Sequence, residues 1–164
     1  MVIFFGKNGT NAINLLNHGF TIDAGFTNVK DSKAVAPFLE KGITVEFIED
    51  LDAQLQKYDP KLIVLAGYMK IVPPHITKKY TIINLHPSLL PHYKGLDAQK
   101  RSFADKKHCG ITIHYVNDKL DEGEIIHQVP LDCNCDYETY LQRLKAAEHE
   151  HLPKTVAKLL KDLG

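Results

Sequence analysis

Hydrophobic positions along the chain fall into short solid runs separated by segments of helical spacing. VIFF (2–5), IDAGFT (22–27), TVEFI (44–48), LIVLAG (62–67) and TIINL (81–85) have the length and the β-branched or aromatic content of strands. Between the early runs, NAINLLN, APFLEKG and LDAQLQK read as short helices, with Gly42 stopping the second. Strands separated by helices predict parallel pairing through right-handed crossovers. LIVLAG and TIINL are apolar nearly throughout, as central strands covered on both faces should be.

The pattern changes after residue 95. AQKRSFADK reads as a helix, and CGITIHYV (109–116) and EIIHQVPL (124–131) read as an antiparallel pair joined by NDKLDEG. A long helix is expected from Asp136, its N-cap, with Leu141, Leu144, Leu152, Val156, Leu159, Leu160 and Leu163 as an inward stripe. Pro153 predicts a kink or a break near residues 150–153. The fold class that follows is α/β. It is an open, mostly parallel Rossmann-like sheet flanked by helices, with a late antiparallel strand pair and a long C-terminal helix. A length of 164 residues suits a single domain, 1–164.

Composition narrows the partners. Twenty basic and twenty acidic side chains cancel, so nothing points to nucleic acid or a membrane surface, and small molecules are the expected partners. No apolar run is long enough to span a bilayer, and MVIFFGKNG reads as a first strand without a basic leader, so a cytoplasmic protein is expected. The three cysteines, Cys109, Cys133 and Cys135, are an odd count that argues against a disulfide framework. DCNCD offers one Cys-x-Cys without a second ligand pair, so no metal is expected. Oligomeric state has no signature.

Ligands in open α/β sheets bind beyond the carboxyl ends of the strands. After the first run comes GKNGTNAI, where the backbone at Gly9, Thr10 and Asn11 has the strand–turn–helix setting that converges N–H groups on an anion. A tight turn into a capped helix would have the same composition. After TIINL, Asn84 and His86 stand two apart, so both side chains project to one side of the strand end, and Pro87 keeps His86 out of helix. Such a pair also serves to tie loop backbone to a strand end. In NDKLDEGE, Asp118 and Glu124 read as solvated, whereas Asp121 follows Leu120, which is expected to anchor the loop inward and turn the carboxylate to the pocket. An amide, an imidazole and a carboxylate together suit acyl-type chemistry with developing oxyanion charge.

INLHPSLLPHYKG followed by GITIHYVNDKLDEGEII resembles the formyltransferases that use 10-formyltetrahydrofolate. The likeness is densest from about residue 62 to residue 131. It implies a catalytic trio of Asn84, His86 and Asp121. In the implied reaction an amine attacks the formyl carbon, Asn84 and protonated His86 donate to the oxygen, and Asp121 supports His86 and the proton transfer. GKNGTN and KAAEHEHLP resemble the segments of members whose acceptor is glycinamide ribonucleotide. That likeness implies a phosphate site at Gly9, Thr10 and Asn11 and a substrate contact at Glu148. Folate contacts are implied at Met69, Lys70, Ile71, Val72, Asn117 and Leu120. His114 is implied as a supporting residue or a packed one. Members acting on a nucleotide-linked amino sugar share the trio, and a non-catalytic folate- or nucleotide-binding homologue would share the fold; all three trio residues are present here.

Overall fold

The computed structural model describes residues 1–164. Seven strands form one sheet in the order β3-β2-β1-β4-β5-β6-β7: β1 Val2–Phe5, β2 Ala24–Thr27, β3 Val45–Phe47, β4 Ile63–Ala66, β5 Ile82–His86, β6 Gly110–Tyr115 and β7 Ile125–Pro130. The first five pair in parallel; β5–β6 and β6–β7 are antiparallel. The α/β fold and its late antiparallel pair thus match the hydrophobic pattern. Strand order reverses between β1 and β4, which places the loops after those strands at the crevice where such sheets bind ligands.

Six helices flank the sheet: α1 Thr10–Asn17, α2 Val35–Glu40, α3 Leu51–Tyr58, α4 Pro74–Lys79, α5 Ala98–Asp105 and α6 Tyr137–Leu163. The solid runs of β1 and β4 are buried at every position because both faces are covered. One core contains Ile3, Phe5, Val64, Ile83 and Ile113 with Leu15, Phe38, Tyr140, Leu144 and Val156 from α1, α2 and α6. The other contains Val2, Phe4, Ile63 and Ile82 with Leu55 and Ile76 from α3 and α4. In β1, β4 and β5 neighbouring residues feed opposite cores, the period-2 rule applied to strands covered on both faces.

Three expectations need correction. Helix α4 is an addition: its six residues carry one buried apolar side chain, Ile76, too few to show a period, and Pro74 sits in its first turn, where a missing N–H costs nothing. Leu141 and Leu163 are exposed and outside the stripe; Tyr140, fully enclosed against Phe103, takes the inward position. Of the kink or break expected at Pro153, the break is absent: helix α6 continues as one element through it. Proline lacks the N–H that would bond the carbonyl four residues back, at His149. Nδ2 of Asn14 on α1 donates to that carbonyl at 2.9 Å. The helix–helix contact supplies the bond that the proline withholds.

This pairing predicts coupling between Asn14 and Pro153. Asn14→Ala should lower stability by about 1 kcal/mol or more, because it strands a part-buried carbonyl. In a Pro153→Ala background, where the helix makes its own bond, the same change should cost measurably less. Urea midpoints of the four proteins of this cycle test it, and equal costs in both backgrounds would count against the account.

Candidate active site

Strand β5 ends in Asn84 and His86, and β6 lies antiparallel beside it with Asn84 opposite His114 and His86 opposite Thr112. His86 and His114 are buried and Asn84 is half-buried. Nδ1 of His114 lies 2.9 Å from the Tyr115 carbonyl, a bond the imidazole makes only as an N–H donor. Burial holds the His114 pKa below the usual imidazole value, so its other nitrogen, Nε2, is a lone pair at neutral pH. That lone pair accepts from Nδ2 of Asn84 at 3.3 Å. His114 therefore sets the orientation of the Asn84 amide and leaves one N–H hydrogen of Asn84 uncommitted.

The loop after β5 fixes the other imidazole. Nε2 of His86 donates to the Tyr93 carbonyl at 2.8 Å, and Oγ of Ser88 donates to the carbonyls of His92 and Tyr93 at 2.7 and 3.3 Å. Thr112 donates to the Ser88 carbonyl at 2.7 Å while its oxygen accepts from Leu90 N at 3.0 Å and from Gln128 Nε2 at 2.9 Å. With Nε2 committed, Nδ1 is the nitrogen of His86 left for chemistry. It faces Oδ1 of Asp121 at 3.6 Å. The same oxygen is 3.9 Å from Nε2 of His114. Both gaps exceed a direct hydrogen bond.

Asp121 is buried, with a side chain 6% exposed, and Oδ2 accepts from Gly95 N at 2.7 Å. Its φ of 55° lies in the left-handed region, uncommon for a residue with a Cβ and typical of strained functional loops. Two residues on, Gly123 passes so close to the Tyr115 carbonyl that any Cβ would collide with it. Tyr115 N also donates to the Glu124 carbonyl at 2.9 Å, so the loop closes tightly on β6. A salt bridge of 3.0 Å between Lys94 and Glu122 spans the same two loops. A cavity of about 340 Å³ lies between them, lined by Pro91, Lys94, Asp121 and Ile125 among others. Leu120 does not anchor this loop; it is 63% exposed, and the αL turn does the work expected of it.

The apolar residues near the end of β4 divide. Met69 and Ile71 are 70% and 81% exposed, and Lys70 is exposed, whereas Val72 is buried in the core with Ile76 and Tyr80. Val72 is therefore a packing residue and its side chain is not available to a ligand. Asn117 is exposed, and its Oδ1 accepts from Lys119 N at 2.9 Å.

At the amino end of α1, Gly9 takes φ 61° as N-cap, no side chain caps the helix, and no acidic residue sits in the first turn. The first-turn N–H groups are thus free for an anion. Nδ2 of Asn11 bonds Oε1 of Glu148 at 3.3 Å, while Oδ1 of Asn11 is buried without a partner. A groove of about 240 Å³ between α1 and α6 is lined by Thr10, Ile13, Asn14, Asn17, Lys145 and His149. Lys145 and His149 went unrecognised in the sequence because charges on a long helix ordinarily face solvent. Their own separation of four residues, which puts both on one face of the helix, was the available signal.

No cluster of three or more histidine, cysteine or acidic side chains is placed to hold a metal ion, and no helix is long and apolar enough to cross a membrane. Burial pushes the Cys109 thiol up to about 12, the opposite of an activated nucleophile.

An amide donor, an imidazole and a buried carboxylate meet beside the cavity between the loops after β5 and β6, the set of groups that acyl-type group transfer calls for. A model of the formyl transferase family matches residues 26–156, most of the chain, and the chain belongs to that family. Phosphoribosylglycinamide formyltransferase of Bacillus subtilis (strain 168) is 40% identical over 119 residues, 70% of this chain and 61% of that protein. The protein of the same name from Haemophilus influenzae is 37% identical over 129 residues, 74% of this chain and 60% of that one. The chain thus spans about 60% of the length of these curated relatives. The solved phosphoribosylglycinamide formyltransferase of Campylobacter jejuni superposes with a TM-score of 0.90 at 29% identity, covering 98% of each chain. The loop at residues 6–11 precedes the segment matched by the family model.

Glu148 makes the site's electrostatics testable. As a residue it is half-buried, but its carboxyl end is enclosed, and burial raises its pKa from 4.5 to about 7 against the opposing pull of the Asn11 bond and Lys145. The folded state therefore holds this proton more tightly than the unfolded state. The penalty is absent below about pH 4.5, grows as pH rises to about 7 and is complete above it. Glu148→Gln should accordingly be more stable than the parent at pH 8 by roughly 2–3 kcal/mol, with the difference vanishing near pH 4.5. Denaturant titrations across that range check the sign.

Proposed function

We propose that the chain transfers a formyl group from 10-formyltetrahydrofolate to the amine of glycinamide ribonucleotide, a step of purine synthesis, with residues 1–164 as the catalytic domain. The observation that carries this reading is the enclosure of the Asp121 carboxylate beside Nδ1 of His86, with the Asn84 amide held next to them by His114. Such an array offers two donors and one base to a single reacting carbon.

The amine nitrogen bonds to the formyl carbon, and the carbonyl oxygen takes up negative charge. The uncommitted hydrogen of Asn84 and an Nδ1–H of His86 donate to that oxygen. Asp121 supplies the counter-charge for the imidazolium; a water bonded to the Asp121 carboxylate from the cavity side passes the proton released by the amine toward the folate nitrogen, whose bond to the formyl carbon breaks. Preorganisation keeps the donors in place before charge develops: Tyr93 and Tyr115 carbonyls hold the imidazoles, and Gly95 N holds Asp121.

The acceptor's phosphate would lie at the first turn of α1, at Gly9, Thr10 and Asn11, with Lys145 adding positive charge. Glu148, backed by Asn11, is placed to accept from sugar hydroxyls or the amine. The exposed side chains of Met69, Ile71 and Leu120 would supply apolar contacts to the flat rings of a folate, with Lys70 and Asn117 as its polar contacts. The names borne by the relatives from B. subtilis, H. influenzae and C. jejuni support the choice of acceptor.

Incubation with both substrates should yield formylated glycinamide ribonucleotide and tetrahydrofolate in equal amounts. Product formed only with a nucleotide-linked amino sugar would overturn the acceptor, and no product with any amine would overturn the reaction. Replacing His86 by Ala should lower kcat about 100- to 1,000-fold, the usual loss for one oxyanion donor, with an unchanged circular-dichroism spectrum. Lys145→Ala should raise the acceptor KM roughly tenfold and leave kcat nearly intact, because it removes binding common to ground and transition states.

A further inference from the structure

Outside the cleft, two imidazoles meet at a separation that suits chelation. His127 belongs to β7, a free edge of the sheet, and His151 to α6. Nε2 of His127 lies 3.1 Å from Nδ1 of His151, with ring centroids 5.1 Å apart and planes tilted by 31°. A tetrahedral zinc ion with Zn–N bonds of about 2.0–2.1 Å holds its nitrogens about 3.3 Å apart, a few tenths of an ångström from this pair. Such a shift is small for exposed and half-exposed side chains.

The second nitrogen of His151 strengthens the case. Nε2 faces Oε2 of Glu150 at 3.4 Å, and Glu150 is in turn held by Lys154 at 3.3 Å. A ligating histidine commonly rests its other N–H on a carboxylate, which fixes the tautomer and leaves a lone pair on the metal side. Here Glu150 lies within ion-pair range of Nε2 without a direct hydrogen bond, and a proton on Nε2 leaves the lone pair of Nδ1 facing His127. In the metal-free pair His127 is the donor; it becomes a ligand when its proton moves to the outer nitrogen.

We propose that His127 and His151 form a two-ligand site for a borderline divalent transition metal such as Zn²⁺, with water completing the coordination. No third histidine, cysteine or carboxylate joins them, so the site is open and its affinity moderate. Imidazole ligands select Zn²⁺, Cu²⁺ or Ni²⁺ over Mg²⁺ or Ca²⁺, which take oxygen. The bound ion clips the free edge strand to α6. It touches none of the groups assigned to chemistry, so it acts on stability.

Thermal melting of the EDTA-treated full chain, with and without ZnCl₂, tests this. At about 100 times the dissociation constant, zinc should raise Tm by about 5 °C or more, reversibly with EDTA, whereas MgCl₂ should leave it unchanged. Isothermal titration should return one ion per chain. His127→Gln and His151→Gln should each weaken binding at least tenfold while keeping the metal-free Tm and formyl-transfer rate. Absence of a saturable zinc effect in the parent overturns the site, as does an equal effect in His127→Gln, which would place the ion on other histidines.

Discussion

A carboxylate enclosed by protein must be bonded or neutralised, and the organisation of the cleft follows from how this chain meets that demand at Asp121. One oxygen is satisfied by Gly95 N, which pins the loop after β5 to the loop after β6. The other is left facing two imidazoles at distances too long for direct bonds, so it keeps its acceptor capacity toward the cavity. The left-handed backbone of Asp121 and the close passage of Gly123 under the Tyr115 carbonyl are the local costs of holding it there. Ser88, Thr112 and Gln128 hold the opposite wall through hydrogen bonds between buried or half-buried groups.

The two histidines differ in role because the strand pair gives them different neighbours. His114 spends one nitrogen on backbone and the other on Asn84, so it orients. His86 spends one on the Tyr93 carbonyl and keeps Nδ1 beside the carboxylate, so it can react. The antiparallel β5–β6 register, which sets Asn84 against His114, produces this division. A one-residue slip would send each side chain to the opposite face.

The contact between α1 and α6 does comparable work at the other end of the crevice. Asn14 repairs the hydrogen bond lost at Pro153, and Asn11 is the sole hydrogen-bonding partner of the Glu148 carboxylate. The helix-repairing bond and the tie to the buried carboxyl therefore come from neighbouring residues of one helix. A carboxyl group enclosed beside a neutral amide, with only Lys145 as a more distant counter-charge, is costly for the fold once ionised.

Hydrophobic runs with period 2 or with no gap settle strand identity, and their alternation with helical spacing settles the parallel sheet, because both signals are local. On that basis β1 to β7, five of the helices, the Asp136 cap and the shared face of Asn84 and His86 were legible from residue order alone. Asp121 was singled out in its loop by residue order, but only the likeness of two motifs to a known family joined it to His86, which spacing could not do. Helix α4 escaped because one buried residue makes no period. Leu120, expected to anchor its loop inward, is exposed, and Val72, implied as a folate contact, is packed in the core, because the direction of each side chain depends on an αL turn and on the neighbouring core. Which nitrogen of each imidazole is free, which amide hydrogen is uncommitted and how α6 survives Pro153 were decided only by tertiary structure. Each depends on a hydrogen bond to a group distant in sequence, and residue order carries no record of that distance.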